Sequence, residues 1–166
     1  YGVGRIVADN IYEMKSLNKL CEETGKKADI ILRIKPGVDA HTHNFIRTGQ
    51  IDSKFGFALE TGEAFEAVKF ALECKNLNFV GLHCHIGSQI LDTQGFEAAA
   101  EVMLTFIKKI RDELGADVRD LNLGGGFGIQ YTENDDPLPY ETFMESVSVV
   151  VHKFCKENNM PLPFIL

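Results

Sequence analysis

A run of three glycines, Gly124, Gly125 and Gly126, occurs in the segment L-N-L-G-G-G-F-G-I at positions 121–129. Consecutive glycines let the backbone approach a ligand closely, and their unblocked N–H groups can form a nest that binds an anion. A phosphate is the natural occupant of such a nest, although a tight strand-to-loop turn uses the same residues. The segment is not the dinucleotide fingerprint, because residues 131–139 separate the glycines from the next helix.

Two histidines, His83 and His85, lie in the segment G-L-H-C-H-I-G-S-Q at positions 81–89. Residues two apart on a strand share a face, so we expect the two rings to point together and Cys84 to point away. One interpretation is a metal site, since paired imidazoles of this spacing occur in barrel hydrolases and zinc accepts them as ligands. Such a site needs further ligands. The remaining histidines of the chain are His41, His43 and His152.

The same two histidines allow two other interpretations. In the first, one histidine is buried and satisfied while the other is partly exposed, and neither binds a ligand. In the second, His85 lies as a flat ring against an aromatic cofactor, and Ser88, in the loop beyond Gly87, donates a hydrogen bond. Under either interpretation, we expect Cys84 to pack against a helix rather than to act as a nucleophile.

A charged residue interrupts the apolar strand in the segment L-R-I-K-P-G at positions 32–37. An unpaired charge inside a strand is costly, so Arg33 either pairs with a carboxylate inside the fold or faces an anionic ligand. Lys35 lies nearer to the end of the strand and shares the face of Arg33. The segment is therefore a third candidate for ligand binding.

The elements that must position these residues alternate between short apolar strands and longer amphipathic helices. Strands are predicted at residues 5–8, 29–34, 79–86, 118–123 and 164–166. Helices are predicted from a cap at Asp9 or Asn10 to Gly25, from after Thr61 to about residue 75, and over residues 140–157. A further helix is predicted from Thr93 to about residue 114, where Gly115 ends it. Residues 38–57 show no clear period, and an aperiodic stretch of that length is usually functional.

Apolar strands that alternate with helices indicate a parallel α/β sheet, either doubly wound or closed into a (β/α)8 barrel. Only about five strands are predicted, so a barrel would lack about three. The chain starts without Met and ends in the apolar run P-L-P-F-I-L, so we expect residues 1–166 to be part of a barrel domain. Ligands of such folds bind at the carboxyl ends of the strands, where all three candidate segments lie.

Charge and composition exclude several kinds of partner. Lys and Arg number 17 and Asp and Glu 24, and the resulting net charge of −7 argues against nucleic acid and anionic membranes. No apolar run approaches the roughly 20 residues that span a bilayer. The four cysteines are widely spaced, without a C-x-x-C pair, which favours a reduced, cytoplasmic protein.

Five blocks of the sequence, taken in order, resemble the diaminopimelate decarboxylases, which are pyridoxal-phosphate enzymes with an alanine-racemase-like barrel. The blocks are L-R-I-K-P-G-V at 32–38, T-H-x-x-I-x-T-G at 42–49, S-K-F-G at 53–56, H-C-H-I-G-S-Q at 83–89 and L-G-G-G-F-G-I at 123–129. The H-x-G-S and G-G-G-F blocks are shared with ornithine and arginine decarboxylases. The blocks at 42–49 and 53–56, together with H-I-G-S-Q, look specific to the diaminopimelate branch.

The resemblance implies roles for the residues of two blocks. His85 would stack on the pyridine ring of the cofactor, and Ser88 would hydrogen-bond near its phosphate. Gly124, Gly125 and Gly126 would cradle that phosphate through their backbone N–H groups.

The resemblance also implies a fold and a reaction. The chain would supply strands four to eight of a (β/α)8 barrel, with Arg33 near the cofactor and Lys54 near the substrate entrance and the dimer interface. The implied reaction converts meso-diaminopimelate to L-lysine and carbon dioxide with pyridoxal 5'-phosphate, in a cytoplasmic homodimer and without a metal. Alternatives are a related decarboxylase of another basic amino acid, a non-catalytic pyridoxal-phosphate-binding barrel, and a metal-dependent hydrolase that uses His83 and His85.

Several functional residues of that family have no counterpart among these blocks. The lysine that forms the Schiff base lies in a Y-x-V-K-A-N type block, which the chain does not contain, so we expect the chain alone to be inactive. The resemblance places the remaining parts beyond Leu166. These are an E-P-G-R segment, whose Glu pairs with the pyridine nitrogen, and a C-terminal β domain, which supplies a Cys and a Tyr to the partner subunit.

Overall fold

The computed structural model describes residues 2–38 and 54–166 of the chain. Within these ranges, strands and helices alternate along the sequence as the hydrophobic pattern predicts. The strands are β1 (Ile6–Ala8), β2 (Ala28–Lys35), β3 (Phe57–Ala58), β4 (Leu77–His83), β5 (Asp120–Asn122) and β6 (Phe164–Ile165). The helices are α1 (Ile11–Thr24), α2 (Glu63–Glu73), α3 (Gln94–Leu114) and α4 (Tyr140–Glu157).

The described strands form a parallel sheet in the order β1-β2-β4-β5-β6, which confirms the predicted α/β class. The short strand β3 pairs with the carboxyl end of β2, where Ile34 lies opposite Phe57 and Lys35 opposite Ala58. The sequence does not predict β3, because two residues are too few to show an alternating pattern. The parallel order brings the carboxyl ends of β1, β2, β4 and β5 to one edge of the sheet.

The core lies between this sheet and the helices that cover it. Three consecutive residues of β2, Ile30, Ile31 and Leu32, are at most 1% exposed. Consecutive burial requires cover on both faces of the strand, as expected for a parallel sheet. The helix α3 packs its apolar stripe into the same core and lies against α4.

The ends of the helices follow the predicted signals. The side chain of Asn10 accepts a hydrogen bond from the Glu13 backbone N–H at 3.0 Å and caps α1. Gly25 and Gly115 take left-handed conformations, with φ of 62° and 63°, and end α1 and α3. No helix in the described parts of the chain is long and apolar enough to cross a membrane.

The strand β4 ends at His83, three residues earlier than the sequence pattern predicts. Beyond His83 the chain enters a loop in which Gly87 takes a φ of 145°, a conformation that interrupts a strand. His85 therefore lies in this loop, two residues beyond the end of the strand. Cys84, between the two histidines, is buried, whereas His83 is half-buried and His85 is exposed.

Candidate functional site

Three polar residues lie side by side across the carboxyl ends of the sheet. The strand register places Arg33 of β2 opposite His83 of β4, and His83 opposite Asn122 of β5. All three side chains are half-buried, next to buried apolar residues of the same strands such as Leu32, Leu82 and Leu121. Because partners in register point to the same side of a sheet, these residues form a continuous polar row at the edge where ligands of parallel folds bind.

The side-chain amide of Asn122 places a proton on Nδ1 of His83, and burial keeps the ring neutral. The Asn122 oxygen Oδ1 accepts a hydrogen bond from the Gly124 N–H at 2.8 Å, so the atom facing His83 is an acceptor. His83 Nδ1 lies 3.1 Å from the same oxygen and must carry the proton. Burial lowers the pKa of His83, outweighing the opposing effect of the hydrogen bond to Asn122, while the positive charge of Arg33 lowers it further. His83 is therefore a neutral imidazole with its Nε2 unprotonated.

The guanidinium of Arg33 contacts an acidic and an aromatic residue. Its Nη1 lies 3.5 Å from Oδ1 of Asp9, which directly follows β1. The guanidinium carbon lies 4.7 Å from the centre of the Phe55 ring, within the range of a cation–π contact. Of the two alternatives predicted for Arg33, the described residues supply the carboxylate partner, and about a quarter of the side chain stays exposed.

Two loops continue the pairing of β4 and β5 beyond the ends of these strands. The Cys84 N–H donates to the Asn122 carbonyl at 2.9 Å, and the Ile90 N–H donates to the Gly126 carbonyl at 2.9 Å. The Gly128 N–H then donates to the Ile90 carbonyl at 2.7 Å. Between these bonds, residues 85–88 and residues 123–126 run side by side, which brings together the two blocks that the sequence singled out.

The three glycines of the loop differ in the space around them. A Cβ atom on Gly124, where φ is 77°, would lie 2.5 Å from the Cys84 carbonyl oxygen and 3.0 Å from His85 Nδ1. A Cβ atom on Gly126, where φ is 104°, would collide with the Gly87 carbonyl oxygen. A Cβ atom on Gly125 would meet no described atom within 4 Å. Gly124 and Gly126 thus allow the loops to approach each other, whereas Gly125 borders open space.

An aromatic cluster anchors the far end of the glycine loop. The ring of Phe127 stacks on Phe96 of α3 with ring centres 4.6 Å apart and packs edge-on against Phe143 and Tyr140 of α4. Since Phe127 directly follows Gly126, this packing fixes the loop to both helices. The aromatic cluster therefore anchors the glycine loop to the helices that cover the sheet.

The structure places the remaining predicted residues as follows. His85 and Ser88 are both exposed on the loop beside the glycines. Lys54 is exposed and directly precedes Phe55, the residue that covers Arg33. Cys84 is fully buried, and burial raises the pKa of its thiol to about 12, as expected for a packed residue rather than a nucleophile.

Part of the prediction falls outside the described residues. His41, His43 and the block at 42–49 lie between residues 39 and 53. Among the residues described, no group of three or more His, Cys, Asp or Glu side chains is arranged to hold a metal ion.

The hydrogen-bond donors beside Gly125 suit an anionic group. Of the three N–H groups in the predicted cradle, that of Gly124 donates to Asn122. The N–H groups of Gly125 and Gly126 have no acceptor within the described parts of the chain. The exposed hydroxyl of Ser88 and the exposed ring of His85 border the same loop pair. Two oriented N–H groups, a hydroxyl and a flat ring match the chemistry of a phosphorylated aromatic cofactor.

Comparison with known families identifies the class of cofactor that this fold binds. The family model described as "Pyridoxal-dependent decarboxylase, pyridoxal binding domain" matches residues 1–163. The chain belongs to this family. The two paired loops therefore belong to a pyridoxal-binding domain, and the family gives no support to the metal-dependent hydrolase.

Individual relatives of this pyridoxal-binding domain are diaminopimelate decarboxylases, which confirms the resemblance seen in the sequence. The chain is 45% identical over 163 residues to the enzyme of Bacillus methanolicus, an alignment that covers 98% of the chain and 38% of the relative. It is 46% identical over 163 residues to the enzyme of Bacillus subtilis (strain 168), covering 98% of the chain and 37% of the relative. The chain thus spans less than two fifths of the length of these relatives.

Solved structures of pyridoxal-phosphate decarboxylases show the same fold. Diaminopimelate decarboxylase from M. jannaschii superposes with a TM-score of 0.87 at 34% identity, covering 97% of this chain and 36% of that chain. The Helicobacter pylori enzyme complexed with L-lysine superposes with a TM-score of 0.78 at 31% identity, covering 96% and 38%. These neighbours are barrels, so of the two predicted parallel folds the (β/α)8 barrel is confirmed and the doubly wound sheet is not.

Four residues of the site escaped the sequence reasoning. They are Asp9, Gln89, Asn122 and Phe127. Asn122 gave a usable signal, because it is a polar residue between two apolar ones, Leu121 and Leu123, at the end of a strand. Asp9 gave a misleading signal, because it resembles a helix cap, whereas the neighbouring residue Asn10 makes the cap.

Proposed function

We propose that the protein containing this chain decarboxylates meso-diaminopimelate to L-lysine and carbon dioxide with bound pyridoxal 5'-phosphate. The observation that carries the proposal is the pair of loops at Gly125, in a chain close in sequence to diaminopimelate decarboxylases. This loop pair has an exposed imidazole and two N–H groups that lack an acceptor among the described residues. The relatives that bind L-lysine, which is the product of this reaction, support the same substrate class.

The N–H groups of Gly125 and Gly126 and the hydroxyl of Ser88 would hold the cofactor phosphate. They do so by donating hydrogen bonds rather than by carrying charge, so the acidic net charge of the chain does not oppose phosphate binding. The loop that carries them is held by the packing of Phe127 and by the hydrogen bonds of Ile90. A preorganised donor pair loses little conformational entropy on binding.

The ring of His85 would lie against the pyridine ring and fix its plane. When bound, pyridoxal phosphate supplies the electron sink for the electron pair that remains after carbon dioxide leaves. Arg33 keeps a positive charge at the same edge of the sheet, held by Asp9 and by Phe55. Lys54 would lie nearer to the substrate entrance and the dimer interface.

The quaternary state and the compartment are parts of the same proposal. We expect a homodimer, on the resemblance noted for Lys54, and a cytoplasmic location, on the free cysteines. The described cysteines are all unpaired, as in a reducing compartment. Light scattering of the complete gene product tests the dimer, and a monomeric mass at micromolar concentration would contradict it.

A substrate panel tests the proposed activity. The complete gene product is purified with pyridoxal phosphate, and kcat/KM is measured for meso-diaminopimelate, L-ornithine, L-arginine and L-lysine. We expect at least a hundredfold preference for meso-diaminopimelate, the range that a site with dedicated polar contacts achieves. A preference for another basic amino acid would instead favour the related-decarboxylase alternative.

A histidine pair provides a matched control for the site. His85→Ala should lower kcat/KM at least tenfold, because the pyridine ring loses the side chain that fixes its plane. His152→Ala removes an exposed imidazole on α4 whose hydrogen bonds to the described residues all go to Ser148 of the same helix. This substitution should leave kcat/KM within twofold of wild type. Equal effects of the two substitutions would remove His85 from the site.

A further inference from the structure

Gln89 ends the H-I-G-S-Q block, and the roles proposed above make no use of it. Its backbone takes a φ of 57°, one of only two positive values among the described residues other than glycine. Such a conformation costs a side-chain-bearing residue free energy, so it persists where surrounding contacts favour it. The contacts of Gln89 are therefore informative.

The side-chain amide of Gln89 makes a two-point contact with the backbone of Ile129. Its Nε2 donates to the Ile129 carbonyl oxygen at 2.5 Å, and its Oε1 accepts from the Ile129 N–H at 3.1 Å. One amide thus satisfies both backbone groups of one residue. This is the contact that a neighbouring strand would make.

The position of this contact matters because the backbone pairing stops just before it. The last backbone bonds between the two loops join Ile90 to Gly126 and Gly128. The chain then leaves towards α3, which begins at Gln94. The Gln89 amide extends the pairing by one more residue and closes the far end of the loop pair.

We propose that Gln89 is a positioning residue that sets the affinity for the cofactor by holding the glycine loop closed against residues 85–88. The inference rests on the proposed function, because the affected ligand is pyridoxal phosphate. The Gln89 contact adds to the Ile90 hydrogen bonds and the Phe127 packing that hold the same end of the loop. Its loss loosens that end, and the N–H groups of Gly125 and Gly126 can then reorient. Gln89 need not touch the ligand to have this effect.

The test compares Gln89→Ala with Gln130→Ala in the complete gene product. Gln130 is exposed on the same loop, next to Ile129, and makes no side-chain hydrogen bond within the described residues. The first readout is the Kd for pyridoxal phosphate, measured by equilibrium dialysis. We expect Gln89→Ala to raise Kd on the order of tenfold, which corresponds to about 1.4 kcal/mol. Gln130→Ala should stay within twofold of wild type.

A second readout is independent of the cofactor. Hydrogen exchange of the Ile129 amide is measured in the cofactor-free protein, where loss of its acceptor should raise the exchange rate several-fold. Gln89→Gly accepts the φ of 57° without strain and also lacks the clamp, so it should show both effects even where the alanine variant folds poorly.

The outcomes separate the two proposals. The positioning role is supported by an elevated Kd together with activity that falls at limiting cofactor and recovers at saturating cofactor. In a variant that is simply misfolded, added cofactor would not restore the activity. Unchanged Kd and exchange in both Gln89 variants overturn it. A wild-type protein that binds no pyridoxal phosphate overturns the proposed function; the clamp is then decided by the Ile129 exchange alone, and an unchanged rate refutes it.

Discussion

Alanine substitution of the three loop glycines should separate the stability of the fold from the binding of the ligand. The three variants add the same single methyl group to consecutive residues. Gly124→Ala and Gly126→Ala direct it at backbone atoms of the neighbouring loop, while Gly125→Ala directs it into open space. The series therefore keeps the chemistry constant and varies only the surroundings.

The magnitudes follow from the backbone angle and from the contact. Gly124 and Gly126 have positive φ, which costs a residue with a Cβ about 1–2 kcal/mol. The colliding atoms are carbonyl oxygens of Cys84 and Gly87, and displacing packed backbone costs about 1–3 kcal/mol more. We expect each substitution to lower the free energy of unfolding by about 2–5 kcal/mol. Gly125 has neither feature, and its substitution should change stability by less than about 0.5 kcal/mol.

The assay combines urea denaturation with equilibrium dialysis of pyridoxal phosphate on the complete gene product. Gly125→Ala should keep the wild-type urea midpoint and weaken cofactor binding, because its methyl group occupies the space beside two N–H donors. Equal destabilisation by all three substitutions would refute the loop geometry. Wild-type affinity in Gly125→Ala would refute the cradle.

Three further predictions concern residues around the loops. Burial lowers the pKa of His83 below its value in the unfolded chain, so protonation of this histidine favours unfolding. The folded protein is therefore most stable above about pH 6.5 with respect to this group, and it loses stability as the pH falls. His83→Gln should flatten the dependence of Tm on pH between about 6.5 and 5. An unchanged slope in that variant would contradict the burial of a neutral imidazole. Phe127→Ala should destabilise the protein by about 3 kcal/mol, whereas Tyr131→Ala, at an exposed aromatic residue, should cost less than about 0.5 kcal/mol by urea denaturation. Burial raises the pKa of the Cys84 thiol to about 12, so a thiol reagent at pH 8 should leave Cys84 unmodified in the folded protein. Mass spectrometry of the peptide that contains Cys84 measures the labelling, and rapid labelling would contradict the packing.

The sequence was sufficient where short-range physics decides the structure. Alternating apolar strands and amphipathic helices predict the parallel class, and the caps at Asn10, Gly25 and Gly115 are local backbone signals that the structure confirms. The five blocks, read as a resemblance, predict the family. Two of these blocks, at 83–89 and 123–129, contain the two loops that the structure places side by side.

The sequence was insufficient where residues distant in the chain determine the outcome. The proton on His83 Nδ1 depends on Asn122, 39 residues away, whose oxygen is oriented by a third group, the Gly124 N–H. The same hydrogen bond gives the Gly124 N–H a partner within the chain, which the run of glycines in the sequence does not show. The two residues of β3 form a strand only through their pairing with the carboxyl end of β2, which their own sequence does not indicate.

Formation of L-lysine tests the central claim most directly. The complete gene product is dialysed free of cofactor, supplied with meso-diaminopimelate, and assayed for L-lysine and carbon dioxide with and without added pyridoxal phosphate. The account predicts equal molar amounts of both products, formed only when the cofactor is added. A protein that binds pyridoxal phosphate and releases no L-lysine from meso-diaminopimelate would contradict it.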